Sequence, residues 1–152
     1  MGYILSSRIA RQVEIIDHTI RFLNFMKTGI RYSAQPIAEL LAQAATMNPV
    51  LPQLRICHEY IQQGLPFLAA WQSSVEWLIR EKKASEGYTT LLRDFGNGIG
   101  TTDLDGQLSH CDLYLVRFDE QLSAAREQYR RKGRLYILLG GSAGLAAALL
   151  IL

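Results

Sequence analysis

Two segments of this sequence have residue types and spacings that could bind a phosphate or a cation. The glycine cluster Gly96–Gly100 could be taken for a nucleotide-binding loop, but it matches neither G-x-G-x-x-G nor G-x-x-x-x-G-K-[ST]. Asp103-Leu-Asp105-Gly-Gln107 could be taken for the start of a calcium loop, but its sixth position is Leu108, where that loop needs glycine. A helix that stops at the glycines, followed by a helix that starts with Thr102 and Asp105 as a capping box, explains both segments.

Two cysteine–histidine pairs, Cys57-His58 and His110-Cys111, contain the ligand types of a structural zinc site. Adjacent residues on a helix point about 100° apart, so both members of a pair rarely reach one ion. We interpret both cysteines as small buried hydrophobic residues. His18 has no Ser or Cys nucleophile beside it in sequence and is interpreted as a solvated or hydrogen-bonded histidine. The sequence therefore predicts no catalytic residue, no metal and no cofactor.

The last 18 residues, Leu135–Leu152, carry no charge and are rich in Leu, Ala and Gly. As a helix they would span about 27 Å, close to the roughly 30 Å hydrocarbon core of a bilayer. A transmembrane helix is therefore predicted over 134–152. By the positive-inside rule, the basic residues just before it predict that the preceding domain is cytoplasmic. These juxtamembrane residues are Arg126, Arg130, Arg131, Lys132 and Arg134.

Within the predicted span, Gly140 and Gly144 form a G-x-x-x-G motif on which another membrane helix could pack. Glycine and alanine are also common in membrane spans without such a role, and the sequence does not decide between the two interpretations. At the other end, residues 1–7 are interpreted as the remnant of, or the exit from, an N-terminal membrane segment.

Charge is distributed unevenly along the chain, although the net charge is only +2. Residues 14–125 contain nine basic and 13 acidic side chains, whereas both ends are basic. Nucleic acid is therefore not predicted as a partner, because phosphate binding would need a basic face on the domain.

The spacing of apolar residues predicts that helices position all of these groups. Five are expected before the final one, and a bend is expected at Gly87. Their predicted bounds are Ser7–Tyr32, Pro36–Thr46, Leu51–Gln63, Pro66–Lys82 and Tyr88–Phe95.

The final helix has the most regular pattern, with apolar residues at alternating steps of four and three. We expect it to run through Gly133 into the membrane segment as a rigid stalk. The predicted fold is all-α, an antiparallel bundle of about six helices over 8–133, followed by a C-terminal transmembrane helix. One of Trp71 and Trp77 is expected in its core. The regular positions are Leu104, Leu108, Cys111, Leu115, Phe118, Leu122, Ala125 and Tyr129.

Four blocks of the sequence, taken together, resemble the stage III sporulation protein AB family. Leu92–Leu108 is similar to the family signature, and Ile30–Leu41, Phe67–Trp71 and Gly2–Arg8 are similar to its other blocks. The residues that carry the resemblance are Tyr32, Pro36, Trp71, Gly96, Gly100, Thr102, Asp103 and Gln107. Two features depart from the family pattern. Family members usually begin with a membrane helix, of which we expect only the exit here, so the chain is predicted to be either truncated at its start or anchored once. In addition, Lys27-Thr28-Gly29 stands where an acidic residue is common.

The resemblance implies a non-enzymatic platform protein, related in its helical domain to the F-type inner-membrane proteins of type II secretion and type IV pilus machines. Such a protein would belong to the channel between mother cell and forespore, with its domain in the mother-cell cytoplasm. It would meet the secretion-type ATPase, stage III sporulation protein AA, and other channel proteins. Membrane lipid is a further expected partner, and the oligomeric state stays open, a homo-oligomer included.

A rival hypothesis is a tail-anchored coiled-coil adaptor or fusion protein of the SNARE type, unrelated to sporulation. Such a protein also has a heptad helix directly before a C-terminal span, but it would need a longer seam with a polar central residue. A second alternative is an enzyme whose site is assembled across helices, which motif searching would miss.

Overall fold

In a computed structural model the chain folds into α-helices, and the part of the chain that the structure describes contains no strand. The backbone is described for residues 2–33, 35–100 and 102–151, and the side chains for residues 7–33, 35–100 and 102–134. The predicted all-α bundle of about six helices is confirmed. The helices are α1 Gly2–Tyr32, α2 Ile37–Met47, α3 Pro52–Gln62, α4 Phe67–Lys82, α5 Glu86–Gly98 and α6 Leu104–Ile151.

The first and last helices pack side by side in antiparallel orientation, although four helices separate them in the chain, and we call this pair the hairpin. Their contact is the most extensive helix–helix contact among the described residues. Near one end of the hairpin, Lys27 of α1 forms an ion pair with Asp112 of α6. Near the other end, Val13 of α1 lies beside Arg126 of α6. The 48 residues of α6 rise about 72 Å and continue through Gly133 without a break. The predicted continuity of the last helix is therefore confirmed.

The four shorter helices pack against one another and against the hairpin, and together they close an aromatic core. Trp71 of α4 is fully buried, stacks on Phe22 of α1 at a centroid distance of 6.0 Å, and meets Phe95 of α5 edge-on at 5.8 Å. Trp77 is half-buried, with Lys82 Nζ 5.9 Å from its ring centroid. Trp71 is thus the core tryptophan that the sequence did not distinguish.

The prolines that were predicted to be the first residues of two helices instead lie one position earlier. Pro36 and Pro66 have extended ψ angles of 152° and 157°, and α2 and α4 begin at the residues that follow them. The proline carbonyls still accept the first helical bonds, from the amides of Leu40 at 3.2 Å and Ala70 at 2.9 Å. A proline fits this position because it has no amide hydrogen to satisfy.

The bend predicted at Gly87 is wrong. Gly87 lies inside the first turn of α5, and the chain reverses earlier, at Lys83, whose φ of 51° is left-handed. A left-handed residue after the last turn ends a helix, so α4 needs no glycine to stop. Gly64, predicted to end α3, does lie just after it, with a φ of 103°.

The regular apolar positions of α6 are buried only in the middle of the helix. From Leu108 to Ala125 they are buried or half-buried, but Leu104 is 49% exposed and Tyr129 is 46% exposed. Leu104 is the first residue of α6, and Tyr129 lies where α1 alone faces it, so neither end is fully covered. The regular apolar spacing of α6 therefore extends beyond the buried part of the helix at both ends.

Within the residues whose side chains are described, no helix has a stretch long and apolar enough to cross a bilayer. Apart from Arg134, the transmembrane segment predicted over 134–152 lies outside the residues whose side chains are described. The predicted packing motif of Gly140 and Gly144 lies outside them as well.

Candidate interaction site

Five of the eight residues that carry the family resemblance lie in or next to the α5–α6 turn, and the structure places four of these five in two small clusters. In the first, Gly96 lies directly against the Trp71 indole, where an added Cβ would come 2.8 Å from Cγ and closer still to Cδ1. Trp71 Nε1–H donates to the Leu92 carbonyl at 2.6 Å. Glycine is required at position 96 because the tryptophan ring occupies the space of a side chain.

The second cluster begins α6. The Asp103 carboxylate accepts a hydrogen bond from the Gly106 amide at 2.9 Å, and Gln107 Nε2 donates to the Thr102 carbonyl at 3.0 Å. The N-cap is therefore Asp103, and the predicted capping box of Thr102 with Asp105 is wrong by one residue. The reason is that α6 begins at Leu104, which puts the amide of its third residue within reach of Asp103.

Between these clusters, Gly100 has a φ of 80°, which reverses the chain, and an added Cβ there would lie 3.8 Å from Ile37 Cδ1. The beginning of α2, with the exposed Pro36, therefore lies beside the turn. Tyr32 is 78% exposed at the end of α1. Among the family-motif residues, Trp71 pairs with Gly96, and Thr102 with Asp103 and Gln107. These contacts position helices and show no catalytic arrangement.

A buried polar network ties three helices together near the centre of the bundle. The Thr19 hydroxyl donates to the Ile15 carbonyl at 2.8 Å, so the Tyr88 hydroxyl donates to Thr19 Oγ1 at 2.7 Å. Tyr88 also accepts from Gln53 Nε2 at 3.1 Å, and burial raises the pKa of Tyr88 to about 12. Because the Tyr88 hydroxyl stays protonated, it keeps donating to Thr19 while it accepts from Gln53. These hydrogen bonds fix the register of α1, α3 and α5.

The cysteines are buried and poorly reactive. Burial raises the pKa of Cys57 to about 12, and burial and nearby Asp112 raise that of Cys111 to about 11. His110 stacks on Phe95, with Nε2 2.7 Å from the Phe95 carbonyl oxygen. Among the described residues, no three His, Cys, Asp or Glu side chains are grouped to hold a metal ion. His18 is only half-buried, but its Nδ1 is buried and, among those residues, finds no hydrogen-bond partner.

Two shallow grooves lie along the hairpin, and sequence reasoning missed both because each is built from two distant segments. The first, which we call the acidic groove, has a volume of about 520 Å³. Its apolar floor includes Val116, which is 56% exposed, and continues onto Leu113, which is 45% exposed. Asp119 and Glu120 form its acidic edge. The residues lining the acidic groove are Ile20, Asn24, Leu115, Val116, Asp119 and Glu120.

The second groove, which we call the basic groove, lies at the end of the hairpin nearest the apolar segment. It has a volume of about 310 Å³ and is lined by Ala10, Val13, Arg126, Tyr129 and Arg130. Antiparallel pairing thus brings the basic beginning of the chain, with its exposed Arg8 and Arg11, to the basic residues before position 135. The remaining juxtamembrane residues also face solvent wholly or in part: Arg131, Lys132 and Arg134.

The residues that depart from the family pattern have structural roles of their own. Lys27 forms the ion pair with Asp112, and an added Cβ at Gly29 would meet the Leu40 side chain of α2, 3.2 Å from Cγ. The segment therefore joins α1 to α6 and to α2.

Comparison with known families assigns the whole chain. The family described as stage III sporulation protein AB matches residues 1–152, so the chain belongs to that family. This is a family of sporulation proteins and not a known enzyme family. Neither the curated proteins nor the solved structures contain a match to the chain.

Proposed function

We propose that this member of the stage III sporulation protein AB family is a non-enzymatic, membrane-anchored platform that docks a secretion-type ATPase. The observation that carries the docking is the acidic groove on the α1–α6 hairpin. The resemblance described above suggests the partner: stage III sporulation protein AA, together with other proteins of the channel between mother cell and forespore.

The acidic groove has the make-up of a protein interface. Its centre is apolar, with Leu115 half-buried and Val116 exposed, and its edge carries the carboxylates of Asp119 and Glu120. Interfaces commonly combine an apolar centre with a polar rim, and acidic rims attract basic partners. All of the residues that line the groove belong to α1 and α6, and none to the four shorter helices. A partner could therefore bind without unfolding the bundle.

Membrane anchoring is proposed from the other end of the hairpin. Both basic ends of the chain meet there, directly before the uncharged segment Leu135–Leu152. Basic residues next to a membrane helix favour the cytoplasmic side, where anionic lipids attract them. The domain would then lie in the mother-cell cytoplasm, and α6 would connect the acidic groove to the bilayer.

The tail-anchored coiled-coil alternative is less well supported, because it requires the seam of α6 to be free for a partner helix. In this structure Cys111, Phe118 and Leu122 of that seam are buried by the chain's own helices.

The docking proposal can be tested by charge reversal in the full chain, purified in detergent, with the purified ATPase as the probe. We expect Asp119→Lys combined with Glu120→Lys to weaken binding at least 10-fold, because reversed rim charges would repel a basic partner. The matched control is Glu59→Lys with Glu81→Lys, which reverses two exposed carboxylates on α3 and α4. The control should bind as the unmodified chain does.

Equal loss in both double variants would contradict a specific docking groove. Formation of a homodimer that is lost only in the Asp119/Glu120 variant would assign the groove to a second copy of this chain instead.

A further inference from the structure

The basic groove carries two exposed arginines from the same helix. Arg126 and Arg130 are one helical turn apart on α6, both exposed, and form no ion pair among the described residues. Like charges at this spacing repel each other and weaken a helix. An anion between the two guanidinium groups would relieve the repulsion, and arginine binds phosphate oxygens in a bidentate geometry.

The floor of the groove is apolar and comes from the other helix. Ala10 and Val13 of α1 line it, and the ring of Tyr129 lies between the two arginines in sequence and stays 46% exposed. The small side chain at Ala10 leaves the space open. A site with two cations above an apolar floor suits an amphipathic ligand better than a free inorganic anion.

The position of the groove along α6 indicates which amphipathic ligand it would meet. Arg130 precedes Leu135 by five residues, about 7.5 Å along a helix. The headgroup layer on each side of a bilayer is about 5–8 Å thick. If Leu135 enters the hydrocarbon, the backbone of Arg130 lies at headgroup level. The backbone of Arg126 lies about 13.5 Å from Leu135, outside that layer, so Arg126 reaches a headgroup phosphate through its long side chain.

The acidic residues nearby do not neutralise the groove. Glu127 pairs with Arg131 at 3.4 Å and is not among the residues lining the groove. Glu14 is exposed one turn beyond Ala10, towards the bundle. Arg8 and Arg11, also exposed on α1, add positive charge at the same end.

From these observations we propose that the basic groove binds the headgroup of one anionic phospholipid, with the phosphate held between Arg126 and Arg130 and the glycerol backbone on Ala10, the floor residue nearer the bilayer. This inference rests on the proposed membrane anchoring. The bound lipid would fix the rotation of the hairpin about the membrane normal and so the direction in which the acidic groove faces.

Native mass spectrometry of the full chain in detergent tests the site, with phosphatidylglycerol and phosphatidylcholine of identical acyl chains as probes. One phosphatidylglycerol should be retained, at least 10-fold more than phosphatidylcholine. Arg126→Gln combined with Arg130→Gln should reduce that retention about 10- to 30-fold, because each basic residue near an anionic lipid contributes about 1 kcal/mol.

Two further variants separate the groove from general electrostatic attraction. Arg131→Gln with Lys132→Gln removes the same charge from the same region but not from the groove lining, and should keep the lipid. Ala10→Leu leaves the charge unchanged but fills the groove, and should lose the lipid. Equal loss in both charge variants, or no loss in Ala10→Leu, would overturn the proposal.

Two controls separate the ligand sources and the two proposals. Displacement of the lipid by millimolar inorganic phosphate would show a free-anion site and overturn the lipid assignment. Flotation of the full chain with phosphatidylcholine vesicles, without a phosphatidylglycerol preference in the mass spectra, would overturn only the lipid site. Failure to float with any vesicle would overturn the membrane anchoring itself.

Discussion

Replacing Gly96 by alanine tests the packing of the family motif, because one methyl group would be inserted against the core tryptophan. The added Cβ would lie 2.8 Å from Trp71 Cγ, well inside van der Waals contact. Trp71 cannot easily move away, since it is fully buried, stacked on Phe22 and hydrogen-bonded through Nε1 to the Leu92 carbonyl. The collision must therefore shift α5 or the ring.

The magnitude follows from three contributions. Overpacking a core costs about 1–3 kcal/mol. A displaced indole leaves its buried N–H without an acceptor, which costs about 1–3 kcal/mol more. Alanine favours helix over glycine by about 1 kcal/mol, which acts in the opposite direction. We expect Gly96→Ala to lower the free energy of unfolding by about 3 kcal/mol, and Tm by about 6–12 °C for a chain of this size.

The matched control is the same substitution at Gly87 in the same helix. There an added Cβ would meet only Gln121 Nε2, at an ordinary 3.4 Å. Gly87→Ala should therefore leave stability unchanged or raise it by up to about 1 kcal/mol. Thermal unfolding of the full chain in detergent, followed by circular dichroism and tryptophan fluorescence, measures both. If Gly96→Ala is as stable as Gly87→Ala, the proposed close contact with Trp71 is refuted.

Three further predictions concern the buried network, the α6 cap and the thiols. Tyr88→Phe should destabilise the chain by about 1–3 kcal/mol in chemical unfolding, because two buried partners lose their hydrogen bonds; a neutral result would contradict the network. Asp103→Ala should cost about 0.5–2 kcal/mol and Thr102→Ala almost nothing, and the reverse order in thermal melts would restore the predicted capping box. At pH 8 the thiol of Cys57, with a pKa of about 12, is about one part in 10,000 thiolate, so a disulfide reagent should label it only on unfolding; fast labelling of the folded chain would contradict its burial.

The helix pattern could be predicted from the sequence because apolar spacing and proline positions are local signals. All six helices were expected, and the errors lie at their ends. Gly87 was assigned a bend that the left-handed Lys83 makes instead, and an α6 cap at Thr102 proved to be at Asp103. Residue type favours glycine over lysine at a turn, and it allows Thr102 or Asp103 equally well as the N-cap of α6. Only the backbone geometry therefore locates the turn and the cap.

The candidate grooves could not be predicted, because each depends on which residues of α1 face which residues of α6. Ile20 and Val116 are 96 positions apart in sequence, and Ala10 and Arg126 are 116 positions apart. A partial signal was present: Leu113 and Val116 are apolar, lie about one turn apart on α6 and do not belong to its regular pattern, so they form a small exposed apolar patch. The charge asymmetry showed that both ends are basic, but only the antiparallel pairing brings them into one groove.

The central claim, that the acidic groove docks the ATPase, is tested most directly by placing a photoreactive amino acid at Val116 in the full chain in sporulating cells. The control places the same group at Leu68 of α4, which is 43% exposed and away from the groove. If the ATPase docks in the acidic groove, irradiation joins position 116 to stage III sporulation protein AA, and position 68 does not react with it. Capture of the ATPase at position 68 but not at position 116 would rule out docking in this groove.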